Sequence, residues 1–122
     1  MSKQEQIQVV LAGLNAAVPE IKGSLLASLD GMPIAYALKV GTVDPARIAA
    51  MTATALSVGK RTSESLGAGT LQEVHFAGTE GRIFVYTVAG RAALTVVTPM
   101  DTNVGLIGLE ARDMVNKLLA II

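Results

Sequence analysis

The stretch DPARIAAMTATALSVGKRTSESLG, residues 44–67, followed by three short runs of alternating character over residues 70–98, decides the fold of this chain. Asp44-Pro45 opens a helix. The aspartate accepts from free amides of the first turn, and proline at the first helical position lacks only an amide that would be unpaired there. Gly67 supplies the left-handed residue that ends it. With Ile48 at zero and 100° per residue, Met51, Thr52, Ala55, Leu56, Val58, Gly59, Thr62 and Leu66 fall within about 80° of one line. This face is expected to lie on the chain's own sheet. The opposite face carries Ala46, Ala50, Ala53, Ser57, Lys60, Arg61 and Glu64. Its first three turns hold alanine and serine where a solvated face would be rich in Lys and Glu.

From Thr70 onward the hydrophobic period is two. Runs over 70–76, 82–88 and 92–98 are separated by Gly78-Thr79-Glu80-Gly81 and Ala89-Gly90-Arg91, connections short enough to force antiparallel neighbours. The first run carries Gln72, Glu73 and His75, which suits an edge. The last, ALTVVT, is apolar on both faces and suits a central strand. Upstream, residues 23–29 and 33–38 flank Asp30-Gly31 and read as a β-hairpin. A first helix over 3–18 shows Ile7, Val10, Leu11, Leu14 and Val18 at helical spacing, and Pro19 stops it. Asp101-Thr102-Asn103 offers several caps for a last helix over 104–122, striped by Val104, Ile107, Ala111, Met114, Val115, Leu118 and Ile122. The predicted order is α-β-β-α-β-β-β-α: an α+β sandwich with a five-stranded antiparallel sheet, one domain over residues 1–122.

Composition narrows the function. Of 122 residues, 51% are hydrophobic and 16% charged, against about 25% charged in typical soluble domains. So apolar surface is expected to remain and to be met by another chain. Ten basic and ten acidic residues cancel, and aromatics make up only 3%, which argues against nucleic acid and anionic lipid as partners. Cysteine is absent, removing disulfides, thiolate nucleophiles and cysteine-ligated metal sites. The polar start, Met1-Ser2-Lys3-Gln4-Glu5-Gln6, has no signal-peptide pattern, and no apolar run approaches the ~18 residues of a membrane span. A cytoplasmic protein is expected.

Candidate chemistry is sparse. Ser57-Val58-Gly59-Lys60-Arg61-Thr62 superficially resembles a phosphate-binding loop. Thr54 stands where that motif needs its first glycine, and Arg61 where it needs Ser or Thr. His75 is the single histidine and has only Glu73 nearby on its strand face, too few ligands for a metal. Asp30, Asp44 and Asp101 are accounted for by turns and caps. These residues supply no nucleophile–base pair, no metal site and no cofactor site, so the chain reads as a non-enzyme. What remains is protein-binding surface. The short side chains at Ala46, Ala50, Ala53 and Ser57 would let a second backbone approach, and Leu71, Glu73 and His75 on the edge strand would be buried with them in a homodimer. Alanine is also simply a good helix former. Arg47, Thr54, Lys60, Arg61 and Glu64, on or beside this face, are candidates for contact with a further partner.

Four segments carry a family resemblance. Gly23-Ser24-Leu25-Leu26-Ala27-Ser28-Leu29-Asp30-Gly31-Met32-Pro33-Ile34-Ala35 resembles the hairpin of the Roadblock (dynein light chain) family. Ala49-Ala50-Met51 through Gly59 is similar to its central helix, and Leu66-Gly67-Ala68-Gly69 with Leu71-Gln72-Glu73-Val74 to the segment after it. Asp101-Thr102-Asn103-Val104-Gly105-Leu106 with Glu110-Ala111-Arg112 resembles the start of its last helix. The family's Asp-Ala-Asn stands here as Asp101-Thr102-Asn103, and its Pro-Gly as Pro19-Glu20. The resemblance implies a profilin-like sheet and a homodimer joined through paired second helices and third strands. It implies no enzymatic activity and a role as regulator or scaffold of a small Ras-like GTPase, of the gliding-motility (Mgl) type in prokaryotic members. An adaptor bridging a motor or signalling assembly without regard to nucleotide state is the alternative. The ending at Ile122 lacks the extra C-terminal tail of some GTPase-activating members, so the resemblance implies binding and leaves catalytic stimulation open.

Overall fold

The computed structural model describes residues 1–39, 41 and 43–122. Its elements run α1 (Lys3–Ala17), β1 (Gly23–Ser28), β2 (Pro33–Leu38), α2 (Pro45–Ser65), β3 (Glu73–Ala77), β4 (Gly81–Val88), β5 (Ala92–Pro99) and α3 (Val104–Ile121). The α-β-β-α-β-β-β-α order expected from the sequence holds. The five strands form one antiparallel sheet in the order β2-β1-β5-β4-β3. β5 is therefore central and β3 an edge, as their patterns predict.

Local chemistry sets the ends of these elements. Ser2 Oγ accepts from the Glu5 amide at 3.1 Å while the Glu5 carboxylate accepts from the Ser2 amide at 3.2 Å, a closed capping box on α1. Those bonds hold the Glu5 carboxyl below its ordinary pKa. Asp44 caps α2 through the Ala46 amide. Of the three caps available to α3, Asn103 is the one used, accepting from the Leu106 amide at 3.0 Å. The hairpin connection is a four-residue loop rather than a two-residue turn. Ser28 receives the Met32 amide on its Oγ at 3.1 Å, bonds the Asp30 carboxylate, and pairs backbone with Met32. Gly31 sits at φ +91° there, a conformation that strains a side chain.

The two faces of the sheet are unequal. On one, α1 and α3 lie side by side over the main core, where Ile7, Leu11, Leu14, Ile107, Ala111 and Leu118 meet Leu26, Phe84, Leu94 and Val96. β2 turns its alanines, Ala35 and Ala37, toward this core. Val104, expected on the buried stripe of α3, is exposed at the first position of that helix. On the other face α2 lies alone. Ala49 packs on Leu25 and Ala27, and Leu56 on Val85 and Ala93. Between these contacts the buried hydroxyls of Thr52 and Thr95 share a hydrogen bond of 2.6 Å.

This contact corrects the expected orientation of α2. Its buried residues are Ala49, Thr52 and Leu56, whose mean direction is rotated by about 70° from Ile48 at 100° per residue. Met51, Val58, Thr62 and Leu66, assigned to the sheet from their spacing, are exposed. The reason is distance. A methyl group placed on Gly59 would come within 2.8 Å of Val74 Cγ2 and 3.1 Å of Leu71 Cδ2. Small residues bring the helix axis close to the sheet, and the larger ones are pushed to its flank.

Candidate interaction surface

The outward side of α2 carries Arg47, Ala50, Met51, Thr54, Ser57, Val58, Arg61 and Thr62, all exposed, with Met51 at 61% and Val58 at 54%. Between Arg47 and Lys60 this helix has no charged residue. Ala46, Lys60 and Glu64, also singled out in the sequence, are exposed as well. Ala53 is not: it is half-buried beneath the chain's own hairpin loop. A methyl group on Gly31 would lie 3.5 Å from Ala50 Cα and 3.6 Å from Ala53 Cβ. Part of the alanine stripe thus serves a close approach within the chain.

Leu71 is likewise placed differently from expectation. The strand predicted from residue 70 begins at Glu73, and Leu71 is half-buried with Val74 against Leu56 under the C-terminal half of α2. Because Val74 faces α2, Phe76 two residues on faces the same side. Phe76 remains 47% exposed and its cross-strand partner Ile83 41%. Met51, Val58, Phe76 and Ile83 are apolar residues on one side of the sheet that the sequence reading assigned to no surface. The small Ala49 and Gly59 were the available signal, since they mark where the helix sits closest to the sheet.

Glu73 and His75 share the opposite face but do not pair with one another. Glu73 Oε1 accepts from Arg112 of α3 at 3.3 Å. His75 stacks on Phe84 with ring centroids 4.3 Å apart, and Phe84 stacks on Tyr86 at 6.5 Å. The Arg82 guanidinium, anchored on the Met100 carbonyl at 3.0 Å, reaches His75 Nε2 at 3.3 Å. Beneath them Tyr86 is buried, and this burial, reinforced by the Glu73 charge against the opposing Arg112, pushes its phenol up to about 12. Among the described residues no three His, Cys, Asp or Glu side chains converge as metal ligands.

The two sheet edges differ in what covers them. Along β2, Gln4 Nε2 donates to the Ile34 carbonyl and Gln8 Nε2 to the Tyr36 carbonyl, both at 2.6 Å, and Asn15 Nδ2 donates to the Ala37 carbonyl at 2.9 Å. The two glutamines of α1 occupy the outward carbonyls of Ile34 and Tyr36 that a further strand would use, whereas the Ala37 carbonyl belongs to the inward pair with Ser24 on β1. β3 has no such cover. Its bonds to β4 are bracketed by Thr87 amide to Gln72 carbonyl at 3.0 Å and Gly78 amide to Gly81 carbonyl at 2.8 Å. By the alternation of an antiparallel ladder, Val74 and Phe76 bond inward, and the backbone of Glu73, His75 and Ala77 points out.

A Roadblock/LC7 domain model matches residues 8–98 of the chain. The chain belongs to the Roadblock/LC7 family. Among curated relatives, two uncharacterised proteins of Methanocaldococcus jannaschii are each 34% identical over 100 residues, covering 82% of this chain and 86% of theirs. Among solved structures, MglB of Myxococcus xanthus superposes with a TM-score of 0.90 at 20% identity, covering 99% of this chain and 90% of that one. The gliding protein MglB of Thermus thermophilus gives 0.87 at 18% identity, covering 99% and 91%. Profilin II of Acanthamoeba castellanii gives 0.66 at 17% identity, covering 93% and 96%, so the Roadblock fold here is profilin-like. Among the described residues no helix is long and apolar enough to cross a membrane.

Proposed function

We propose that this protein is a non-enzymatic, cytoplasmic homodimer that regulates or scaffolds a small Ras-like GTPase, and that residues 1–122 act as one Roadblock domain. The observation that carries the reading is the uncovered sheet edge β3, beneath the C-terminal half of an α2 whose outward side is uncharged between its basic residues. Two copies joined antiparallel along β3 by a two-fold axis keep the same face of both sheets on the same side. Both α2 helices then stand together on one face of a doubled sheet, and α1 and α3 on the other. In this dimer the pairing surface comprises Ala46, Ala50 and Ser57 of the small-residue stripe, joined by Met51 and Val58, with Glu73 and His75 at the strand junction.

The GTPase would sit across the paired α2 helices, contacting Arg47, Thr54, Lys60, Arg61 and Glu64. Neighbours in fold include Mgl proteins, one of them described as MglB in a tetrameric arrangement and another as MglC of Myxococcus xanthus, which supports a place in a GTPase-linked assembly. Action requires no catalytic residue of this chain, since a GTPase can carry its own arginine and glutamine. A dimer surface that fits one switch-loop arrangement better shifts the GTPase toward it, by no more than its difference in affinity for the two states.

The test is a titration of the purified protein against the Ras-like GTPases encoded in its own genome, loaded with GDP or with a non-hydrolysable GTP analogue. Nucleotide hydrolysis and release are followed in parallel. Tighter binding to one state supports regulation, and equal affinity for both favours the adaptor reading. Failure to bind either state removes the GTPase from the account.

A further inference from the structure

We infer that the β3 edge meets a second copy in one register, with the two-fold axis through His75, and that this register makes assembly proton-sensitive. The inference rests on the β3-paired dimer proposed above and adds its register and its control. β3 is five residues long, and its outward backbone groups belong to Glu73, His75 and Ala77. Among the described residues nothing else bonds to those groups. Pairing His75 with His75 of the second copy places each Glu73 opposite an Ala77, so all outward amides and carbonyls of both strands are satisfied. An axis through Val74 or Phe76 instead leaves one outward residue of each strand beyond the end of the partner strand. The side chains agree with the first register. Val74 faces Phe76 of the second copy on the α2 side, which covers a ring that is otherwise half-exposed.

On the other face the same register sets two imidazoles directly opposite one another, with backbones about 5.5 Å apart. Each ring is held by its stack on Phe84 and by Arg82, so neither is free to swing away. The groups facing it are Glu73 on its own strand, Arg82 and Tyr86 on β4, and Arg112 on α3. The Glu73 carboxylate is engaged by Arg112 rather than by the imidazole. Two protonated imidazoles flanked by two guanidiniums would then repel across the junction, whereas separated copies each carry only one such pair. Protons are bound more readily by the separated copies, and histidine is the side chain that titrates between pH 5 and 8. Lowering pH therefore favours separation, on the order of tenfold in the dissociation constant for two charges at this spacing near a protein surface.

Sedimentation of the full chain and of His75→Gln at pH 7.5 and 5.5 tests this. The parent is expected to dissociate about tenfold more readily at the lower pH, and His75→Gln to dimerise with little pH response. Arg82→Gln is expected to reduce the response of the parent. A dimer whose dissociation constant does not change with pH, or a response retained in His75→Gln, overturns the inference while leaving the dimer standing. A chain that stays monomeric at both values overturns the dimer itself. Register is read independently with spin labels on Glu73→Cys, His75→Cys and Ala77→Cys, since the chain has no cysteine of its own. The shortest distance is expected at 75, with equal longer ones at 73 and 77. Equal distances at 73 and 75, or at 75 and 77, move the axis off His75 and refute the register.

Discussion

The Thr52–Thr95 contact lets the seating of α2 on the sheet be tested by a double-mutant cycle. The two hydroxyls are 3% and 2% exposed, and their 2.6 Å bond is the one polar link recorded for either among the described residues. Replacing Thr52 with Val keeps the volume and strands the Thr95 hydroxyl without a partner, in a place water does not reach. Stranding a buried polar group of this kind costs about 1–3 kcal/mol. For a chain of 122 residues that corresponds to a fall in Tm on the order of 4–12 °C. Thr95→Val is expected to cost about the same for the mirror reason, again about 1–3 kcal/mol. The double variant leaves two apolar groups of matching shape face to face and is expected within about 1 kcal/mol of the parent. The coupling between the two sites is then large and of opposite sign to the single effects.

The assay is urea and thermal unfolding of the four proteins. It is best run in a Val58→Glu background, because association would add a concentration-dependent term to every midpoint. A double variant as unstable as the two single losses combined would refute the reasoning, since each hydroxyl would then have to be satisfied independently. The result also bears on function. This bond is a buried polar contact between α2 and the sheet, and the rotation of α2 decides which residues the helix presents outward.

Three further outcomes follow from the same structure. Met51→Glu and Val58→Glu place a charge on side chains more than half exposed in one chain. Each is expected to leave Tm within about 1 kcal/mol of equivalent stability while abolishing the dimer in sedimentation, because the charge would be desolvated only between copies. Gly59→Leu forces a side chain into Val74 and Leu71 and is expected to destabilise by about 1–3 kcal/mol despite the gain in helix propensity, as read from urea unfolding. The Tyr86 phenol, raised in the folded chain to about 12, makes stability present below pH 10 fade as pH rises from there toward 12. Absorbance titration of the phenolates should show Tyr86 ionising above the ordinary tyrosine range, and Tyr86→Phe should remove the alkaline loss.

The element order, the edge position of β3 and the central position of β5 were legible because each rests on a local rule: a cap, a turn, a period of two. The rotation of α2 was not. Periodicity weighs residues by size and polarity, and it drew the line through Ile48, Met51 and Leu66. In the folded chain the closest approach is made by Ala49, Thr52 and Gly59, whose virtue is to be small. A hydrophobic stripe marks what a helix wants to bury. The side that can come near enough to a flat sheet is decided by shape, and Met51 and Val58 lose that contest. The same blindness misplaced Leu71, which reads as an alternating strand residue yet fills the gap above which Gly59 sits. Of the small-residue stripe, Ala46, Ala50 and Ser57 lie exposed on α2, where the sequence pattern put them. Ala53 was assigned outward because nothing local to residue 53 announces that a loop 22 residues earlier folds over it.

The asymmetry of the two sheet edges was also beyond a local reading, and it constrains the partner most. Gln4, Gln8 and Asn15 look like ordinary polar residues of an amphipathic helix, spaced to lie along one flank. In the fold that flank runs along β2, and the amides of Gln4 and Gln8 take two outward carbonyls a new strand would need, while Asn15 bonds the inward carbonyl of Ala37. One edge of the sheet is thereby partly occupied by the chain itself, using residues that carry no charge and so add nothing to its solubility. A chain protecting itself only against aggregation would have reason to treat β3 in the same way. Instead β3 keeps three outward residues bare, and its inward-facing Phe76 only half covered. Partial cover on one edge leaves the more open, five-residue template on the other, and a template so short favours a partner strand that matches it group for group. The strand that does so without further adjustment is an identical β3, antiparallel and centred on His75.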